Sequence, residues 1–250
     1  IKSEWFDAIL DADKKLDLVM DEGKNFGGLD VADGGEAANA CAVRTHRVVK
    51  QLKIWSVRDT AITARHAVQL CQPFLPCELH YDCIGVGSGV KGECNRLGDD
   101  NLMPMGLTLI PWNASAAPLN PFDKVIPDDP KSPLNRDFYS NLKAQAWWHL
   151  RQVIYNTWRA VTEKQIFKIE ELISIDTSLI DVALIHRLRD EMTQVRATTL
   201  SSKMKLTIVK AEHDRQSPNL AEAMVIADWP VPNTVPGLIS GFVAPMIISA

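Results

Sequence analysis

Phe26-Gly-Gly-Leu-Asp-Val-Ala-Asp33 is a short apolar, strand-like run that closes on an acid, Asp30. The pattern recurs in Cys77-Glu-Leu-His-Tyr-Asp82, where the acid is Asp82, and a third acid, Glu222, stands far downstream in Ser217-Pro-Asn-Leu-Ala-Glu-Ala223. A lone Asp after a strand serves more often as a turn or helix cap. Two such acids with a third on a late helix can instead converge where strand ends and a helix meet. Carboxylates crowded into one site repel one another and take up protons near neutral pH unless divalent cations compensate them. Oxygen-only donors select hard ions such as Mg²⁺ or Mn²⁺, which keep some waters and bind phosphates. Two such ions ~3.5–4 Å apart can activate a water and stabilise a departing oxygen. Asp30, Asp82 and Glu222 therefore predict a metal-dependent phosphodiester nuclease holding two Mg²⁺ or Mn²⁺ ions.

Composition is consistent with a globular enzyme: 250 residues, 46% of them hydrophobic, can bury a substantial core. No apolar stretch approaches the ~20 residues of a membrane helix, and Ile1-Lys-Ser-Glu-Trp-Phe-Asp7 is not a signal peptide. A chain that begins at Ile1 reads as a segment of a longer polypeptide. Cys41, Cys71, Cys77, Cys83 and Cys94 are odd in number and form no CxxC pair, which predicts free thiols in a reducing compartment. Cys94 and His213 are too isolated for a zinc site. Charge is uneven. Residues 1–130 hold 13 Lys+Arg against 19 Asp+Glu, a balance of −6, and residues 131–250 hold 14 against 12, a balance of +2. If DNA is the substrate, contact is expected in the second half, through Lys143, Arg151, Arg159, Lys164, Lys168, Arg196, Lys203 and Lys205, although composition alone favours a solvated helix face for these cations.

Along the chain, Trp5, Ile9, Leu10, Leu16 and Val19 fall at helical spacing and predict one amphipathic helix over residues 3–22. Asn25 to Asp30, Ala38 to Arg44 and Arg47 to Trp55 read as three strands of an antiparallel meander. Asp59 caps a helix to about Leu70, stopped by Pro73 and Pro76, and a fourth strand follows over Cys77 to Asp82. Ile84-Gly-Val-Gly-Ser-Gly-Val90 lacks the strand-end acid of a dinucleotide site, so its glycines read as backbone freedom beside Asp82, before a helix to about Leu97. Leu107 to Pro111 reads as a fifth, buried strand, and Asn113 to Arg136, rich in Pro, Asn and Asp, as an irregular insertion. A long helix is predicted from Asp137 to about Val161, then further helix over 163–192 with a short strand at Ile173. Gln194 to Leu200 and Lys205 to Lys210 pair as a hairpin. Ser217 as cap and Pro218 at the first helical position open a last helix to about Asp228, before a proline-rich tail from about 229. The expected fold class is α/β, with an antiparallel meander, further strands and flanking helices in a single domain over 1–250.

Four stretches in this order, Gly28-Leu-Asp-Val-Ala-Asp-Gly-Gly35, Asp82-Cys-Ile-Gly-Val-Gly-Ser-Gly-Val90, Asn141-Leu-Lys-Ala-Gln-Ala-Trp-Trp148 and Ser217-Pro-Asn-Leu-Ala-Glu-Ala223, span nearly the whole chain. Together they resemble the C-terminal nuclease domain of the large terminase subunit of tailed bacteriophages. The resemblance implies a ribonuclease H-like fold, with a mixed central sheet of three antiparallel strands then parallel strands flanked by helices, and an endonuclease that cuts concatemeric double-stranded DNA with little sequence preference. It implies that Asp30 and Asp82 are the first two metal-binding acids and that Glu222 is the third, with Asp214 in reserve. Asn219 stands where relatives often carry Asp, and its carbonyl brings a ligand without charge. Asp33 would act through a water, and His213 is either a water- or phosphate-orienting group or an exposed loop residue. Lys143 and Gln145 are expected to face DNA with Arg151, Lys203 and Lys205, or, on the alternative reading of the same motif, Trp147 and Trp148 serve core packing. The implied partners are DNA, an N-terminal ATPase domain, the small terminase subunit and the portal, in the host bacterial cytoplasm and away from membranes. This chain has no GxxxxGK[ST] loop, so the ATPase is expected to lie elsewhere. Competing expectations are a docking module whose metal site has decayed and a ribonuclease H-like resolvase or recombinase.

Overall fold

A computed structural model describes residues 1–32, 38–199, 205–209 and 217–229, with Val86 described for its backbone alone. The strands are β1 (Asn25–Asp30), β2 (Asn39–Thr45), β3 (Val48–Trp55), β4 (Cys77–Asp82), β5 (Leu107–Trp112), β6 (Ser174–Ile175), β7 (Arg196–Thr199) and β8 (Leu206–Val209). The helices are α1 (Ser3–Ile9), α2 (Ala12–Leu16), α3 (Thr60–Cys71), α4 (Ser88–Asp99), α5 (Asn135–Phe138), α6 (Leu142–Glu163), α7 (Val182–Gln194) and α8 (Asn219–Asp228). Six strands form one sheet in the order β5-β4-β1-β2-β3-β6, and β7 and β8 form a separate antiparallel pair. β1, β2 and β3 are the expected antiparallel meander. β4 joins β1 in parallel, β5 joins β4 in parallel, and β6 joins β3 in parallel. The sheet is mixed and flanked by helices, the α/β class expected.

Side chains alternate across a strand, so each strand serves both faces. Leu29, Leu79 and Tyr81 point to the face covered by α3 and α4, where they pack with Ala64, Ala67, Cys71 and Val90. The other face carries Ala40, Ala42 and Leu52 under α8, with α1, α6 and α7 completing the layer through Phe6, Leu150 and Leu188. α8 is buried along its whole length, which its apolar Ala-Met-Val-Ile-Ala run permits. Gly28 makes this possible: a Cβ there would lie 2.2 Å from Ala223 O and 2.4 Å from Ala227 N, so only glycine lets α8 rest directly on β1.

Several local expectations are corrected. Residues 3–22 do not form one helix. Asp11 adopts a left-handed conformation (φ 49°) between α1 and α2, because its N–H donates to Ile175 O (2.9 Å) and its carboxylate takes Thr177 N and Oγ1. The amphipathic pattern was real, but pairing with the sheet edge at Ile175 breaks the helix. β5 is an edge strand, only partly buried, which explains how it tolerates Pro111. α6 starts at Leu142 rather than Asp137, because Asn141 Oδ1 caps Ala144 N (2.9 Å) and the four-residue α5 stands before it. Pro218 occupies the N-cap position of α8, not its first turn. Between β5 and α5 the chain is irregular, with a single isolated bridge at Lys124–Leu134. The proline-rich tail beyond Trp229 lies outside the described residues.

Candidate metal centre

The register of β1 and β4 sets the site. Gly28 pairs with His80 and Leu29 with Tyr81, so one step further Asp30 and Asp82 end adjacent parallel strands at the same level. By alternation both side chains leave the sheet on the α8 side, opposite to Leu29 and Tyr81. After Asp82 the chain turns sharply: Asp82 Oδ1 accepts Ile84 N (3.1 Å), and a Cβ on Gly87 would lie 1.8 Å from Asp82 O. Beyond Asp30 the chain is held by Asn39, whose Oδ1 accepts Ala32 N (3.0 Å) while its amide donates to Val57 O (2.9 Å).

Glu222 comes to these acids from the first turn of α8, buried to 8% exposure. Its Oε1 lies 2.5 Å from Lys143 Nζ, and its Oε2 accepts Trp147 Nε1 (3.3 Å). The helix terminus is held in turn by Glu191 of α7, whose Oε2 accepts Ala221 N (3.0 Å). Burial, then the charges of Glu222 and Asp82, push Asp30 well above the ordinary carboxylate range, against the pull of Lys143. Burial also raises Asp82, although the Ile84 amide and Lys143 oppose it. Lys143 would be lowered by burial, but its contact with Glu222 and the charges of Asp30 and Asp82 hold it above its usual value.

The structure thus brings Asp30, Asp82, Glu222 and Lys143 into one electrostatic cluster. Among the described residues no three His, Cys, Asp or Glu side chains are gathered tightly enough to hold a metal ion. The donor chemistry nonetheless fits a hard divalent cation: the acids offer only oxygen, and the charges of Glu222 and Asp82 add to burial in raising Asp30.

Other expected site residues are placed differently. Asn219 donates its amide to Ala38 O (2.6 Å), a tie between α8 and the start of β2. Gln145 does not face DNA. It is buried, with Oε1 accepting Leu119 N (2.6 Å) and Nε2 donating to Leu119 O (3.0 Å), and so anchors the insertion. Lys143 also turns inward, to Glu222. Trp147 lies in the core, while Trp148 packs edge-on to Phe138 (5.8 Å). Arg151 stacks over Trp148 (4.8 Å) and Trp5 (5.1 Å) and lines a cleft of about 200 Å³ with Trp147 and Arg196. Lys205 donates to Arg136 O (2.6 Å). Asp33, Lys203, His213 and Asp214 lie outside the described residues.

With this geometry in place, the chain is similar to a mutant nuclease domain of the large terminase subunit gp2 of bacterial virus Sf6, solved with manganese and β-thujaplicinol. The TM-score is 0.81 at 25% identity, over 93% of this chain and 99% of that one. The chain has the architecture of a large-terminase nuclease domain. Another structure of that Sf6 domain, with calcium, gives a TM-score of 0.79 at 26% identity over 92% and 98% of the two chains. The cobalt-bound large terminase nuclease of thermophilic phage G20c matches at 0.51 and 12% identity over 83% and 81%, a likeness of fold. No family model and no curated protein matches the chain.

Two residues that support the candidate site escaped the sequence reading. Glu191 reads as the exposed half of an i,i+4 pair with Arg187 (2.9 Å). Its position between Leu188 and Met192, on the buried face of α7, was the signal that it caps something inside. Asn39 carried no such signal, since its partners at 32 and 57 are set by tertiary structure alone.

Proposed function

We propose that this chain hydrolyses the phosphodiester bonds of double-stranded DNA as the nuclease domain of a packaging terminase, with Asp30, Asp82 and Glu222 holding two Mg²⁺ or Mn²⁺ ions. The observation that carries this reading is the placement of two acids at the same level on adjacent parallel strands, with a third facing them from a buried helix end. The ions, once held, would activate a water and stabilise the departing oxygen. The protein contributes rigidity: Gly28 seats α8, Glu191 caps it, and Asn39 and Gly87 fix the chain after each strand acid. Arg151 and Arg196, which have no ion-pair partner among the described residues, offer a cationic cleft beside Trp147 for the phosphate backbone. Contacts of that kind bind DNA without reading its bases, in keeping with cutting of low sequence preference. On this reading the parent supplies an ATPase motor, works with a small terminase subunit and a portal, and acts in the host cytoplasm. No helix among the described residues is long and apolar enough to cross a membrane.

The closed Lys143–Glu222 ion pair favours a second reading, a docking module whose metal site has decayed. Supercoiled plasmid incubated with the chain and Mn²⁺, alongside Asp30→Asn and an EDTA control, separates the two. Nicking and linearisation that need both metal and Asp30 are expected, with a loss of at least ~100-fold in the variant. Undiminished cleavage by folded Asp30→Asn protein sinks the site assignment.

A further inference from the structure

Lys143 breaks a local rule. It sits in the first turn of α6, where the helix dipole is positive and a cation is disfavoured. Its stem is largely shielded, which adds a desolvation penalty for the ammonium. Yet its position is firmly built. Asn141 caps the helix, Leu142 N donates to Ala116 O (2.8 Å), Lys143 N donates to Ala114 O (3.1 Å), and Gln145 grips Leu119 at both ends of its amide. The insertion after β5 therefore holds the start of α6 so that Lys143 Nζ meets Glu222 Oε1 at 2.5 Å. With Trp147 Nε1 on Oε2, both oxygens of Glu222 are engaged by α6. A cation placed against both the helix dipole and its own desolvation is retained for the charge it faces, and Asp30 and Asp82 face it as well.

We propose that Lys143 is the resident counter-ion of the acidic site: it holds Glu222 in the metal-free protein, and a divalent cation binds only as that ion pair opens. The inference rests on the metal-centre reading above and adds to it a positioning residue that sets metal affinity. Two cations cannot share one buried carboxylate without mutual repulsion, so Lys143 weakens metal binding while it stabilises the metal-free site. The insertion, through Ala114, Ala116 and Leu119, becomes part of the machinery that sets that balance.

Calorimetric titration of Mn²⁺ into wild type, Lys143→Met and Lys143→Arg tests this, with melting curves in EDTA and in Mn²⁺. Lys143→Met, which keeps the stem and removes the charge, is expected to bind Mn²⁺ roughly tenfold more tightly. It should also melt lower than wild type in EDTA and gain more on addition of Mn²⁺. Lys143→Arg should bind near the wild-type affinity. Equal or weaker Mn²⁺ binding by folded Lys143→Met overturns the proposal, as does Lys143→Arg tightening to the same extent, since packing rather than charge would then be responsible. If Lys143→Met does not fold, acylation of Lys143 in the wild type, followed by mass spectrometry, gives the answer: labelling should rise several-fold when Mg²⁺ is added, and unchanged labelling overturns the proposal. Absence of any saturable Mn²⁺ heat in the wild type is a different failure, that of the metal centre itself.

Discussion

Asp228 is only 3% exposed, at the opposite end of α8 from Glu222, and is held by charge rather than repelled by it. Arg47 Nη1 and His149 Nδ1 each lie 2.9 Å from its carboxylate, while Arg44 Nε donates to the neighbouring Ala227 O (2.7 Å). Burial alone would raise Asp228, but Arg47 and His149 outweigh it and hold the carboxyl far below its usual range. Arg44, buried beside Arg47, is brought down to about 9. Breaking a buried pair by removing one partner leaves an uncompensated charge, so Asp228→Asn is expected to lower stability by about 3–5 kcal/mol in denaturant unfolding at neutral pH. The pH dependence has a fixed sign. With the folded value below the unfolded one, the unfolded chain binds the extra proton, so the contribution is complete above about pH 4 and drains away as pH falls further. Wild type should therefore lose stability more steeply than Asp228→Asn between about pH 4 and pH 2. Parallel acid limbs for the two proteins would show that Asp228 is not the ionised partner of Arg47.

The elements show the same dependence on close placement. Gly28 has no Cβ because the backbone of α8 occupies that space, and Gly28→Ala must lift α8 from β1. A loss of about 1–3 kcal/mol is expected from the overpacking. Glu222 moves with α8, so the same variant should also bind Mn²⁺ more weakly, a joint effect that melting and calorimetry read separately. An unchanged melting temperature would mean that α8 does not seat on Gly28. β1 and β4 were legible in the sequence because an apolar run ending on an acid constrains both the strand and the direction of its last side chain. The helices and the edge strand were less so. The break at Asp11 depends on Ile175, the start of α6 on Asn141 against a pattern that also admitted Asp137, and the burial of β5 on its place at the sheet edge. The site divides in the same way. Asp30, Asp82 and Glu222 are announced by their own runs. Gln145 was expected at DNA from its place in the Lys143–Trp148 motif, and only the insertion folding back to Leu119 buries it.

Across the whole molecule, charge separates the two tasks a nuclease must perform. The first 130 residues carry the balance of −6 and supply both strand acids, whereas the remainder carries +2 and supplies Arg151 and Arg196. A protein of net charge −4 can bind DNA only where its cations are concentrated, so affinity should be confined to one face and fall steeply with salt. Each phosphate contact contributes about 0.9 to the slope of log affinity against log salt, so Arg151→Gln should reduce that slope by about one if its guanidinium meets a phosphate. Arg151 also stacks between Trp5 and Trp148, and its loss disturbs packing as well as charge. Arg151→Lys distinguishes the two, because it keeps the charge and loses the planar stack. Anisotropy of a labelled duplex in EDTA over a salt series is expected to show the wild-type slope for Arg151→Lys and the reduced slope for Arg151→Gln. Mn²⁺ binding should be the same in both variants. Equal slopes for all three proteins would remove Arg151 from the DNA path and leave it as a packing residue between two indoles.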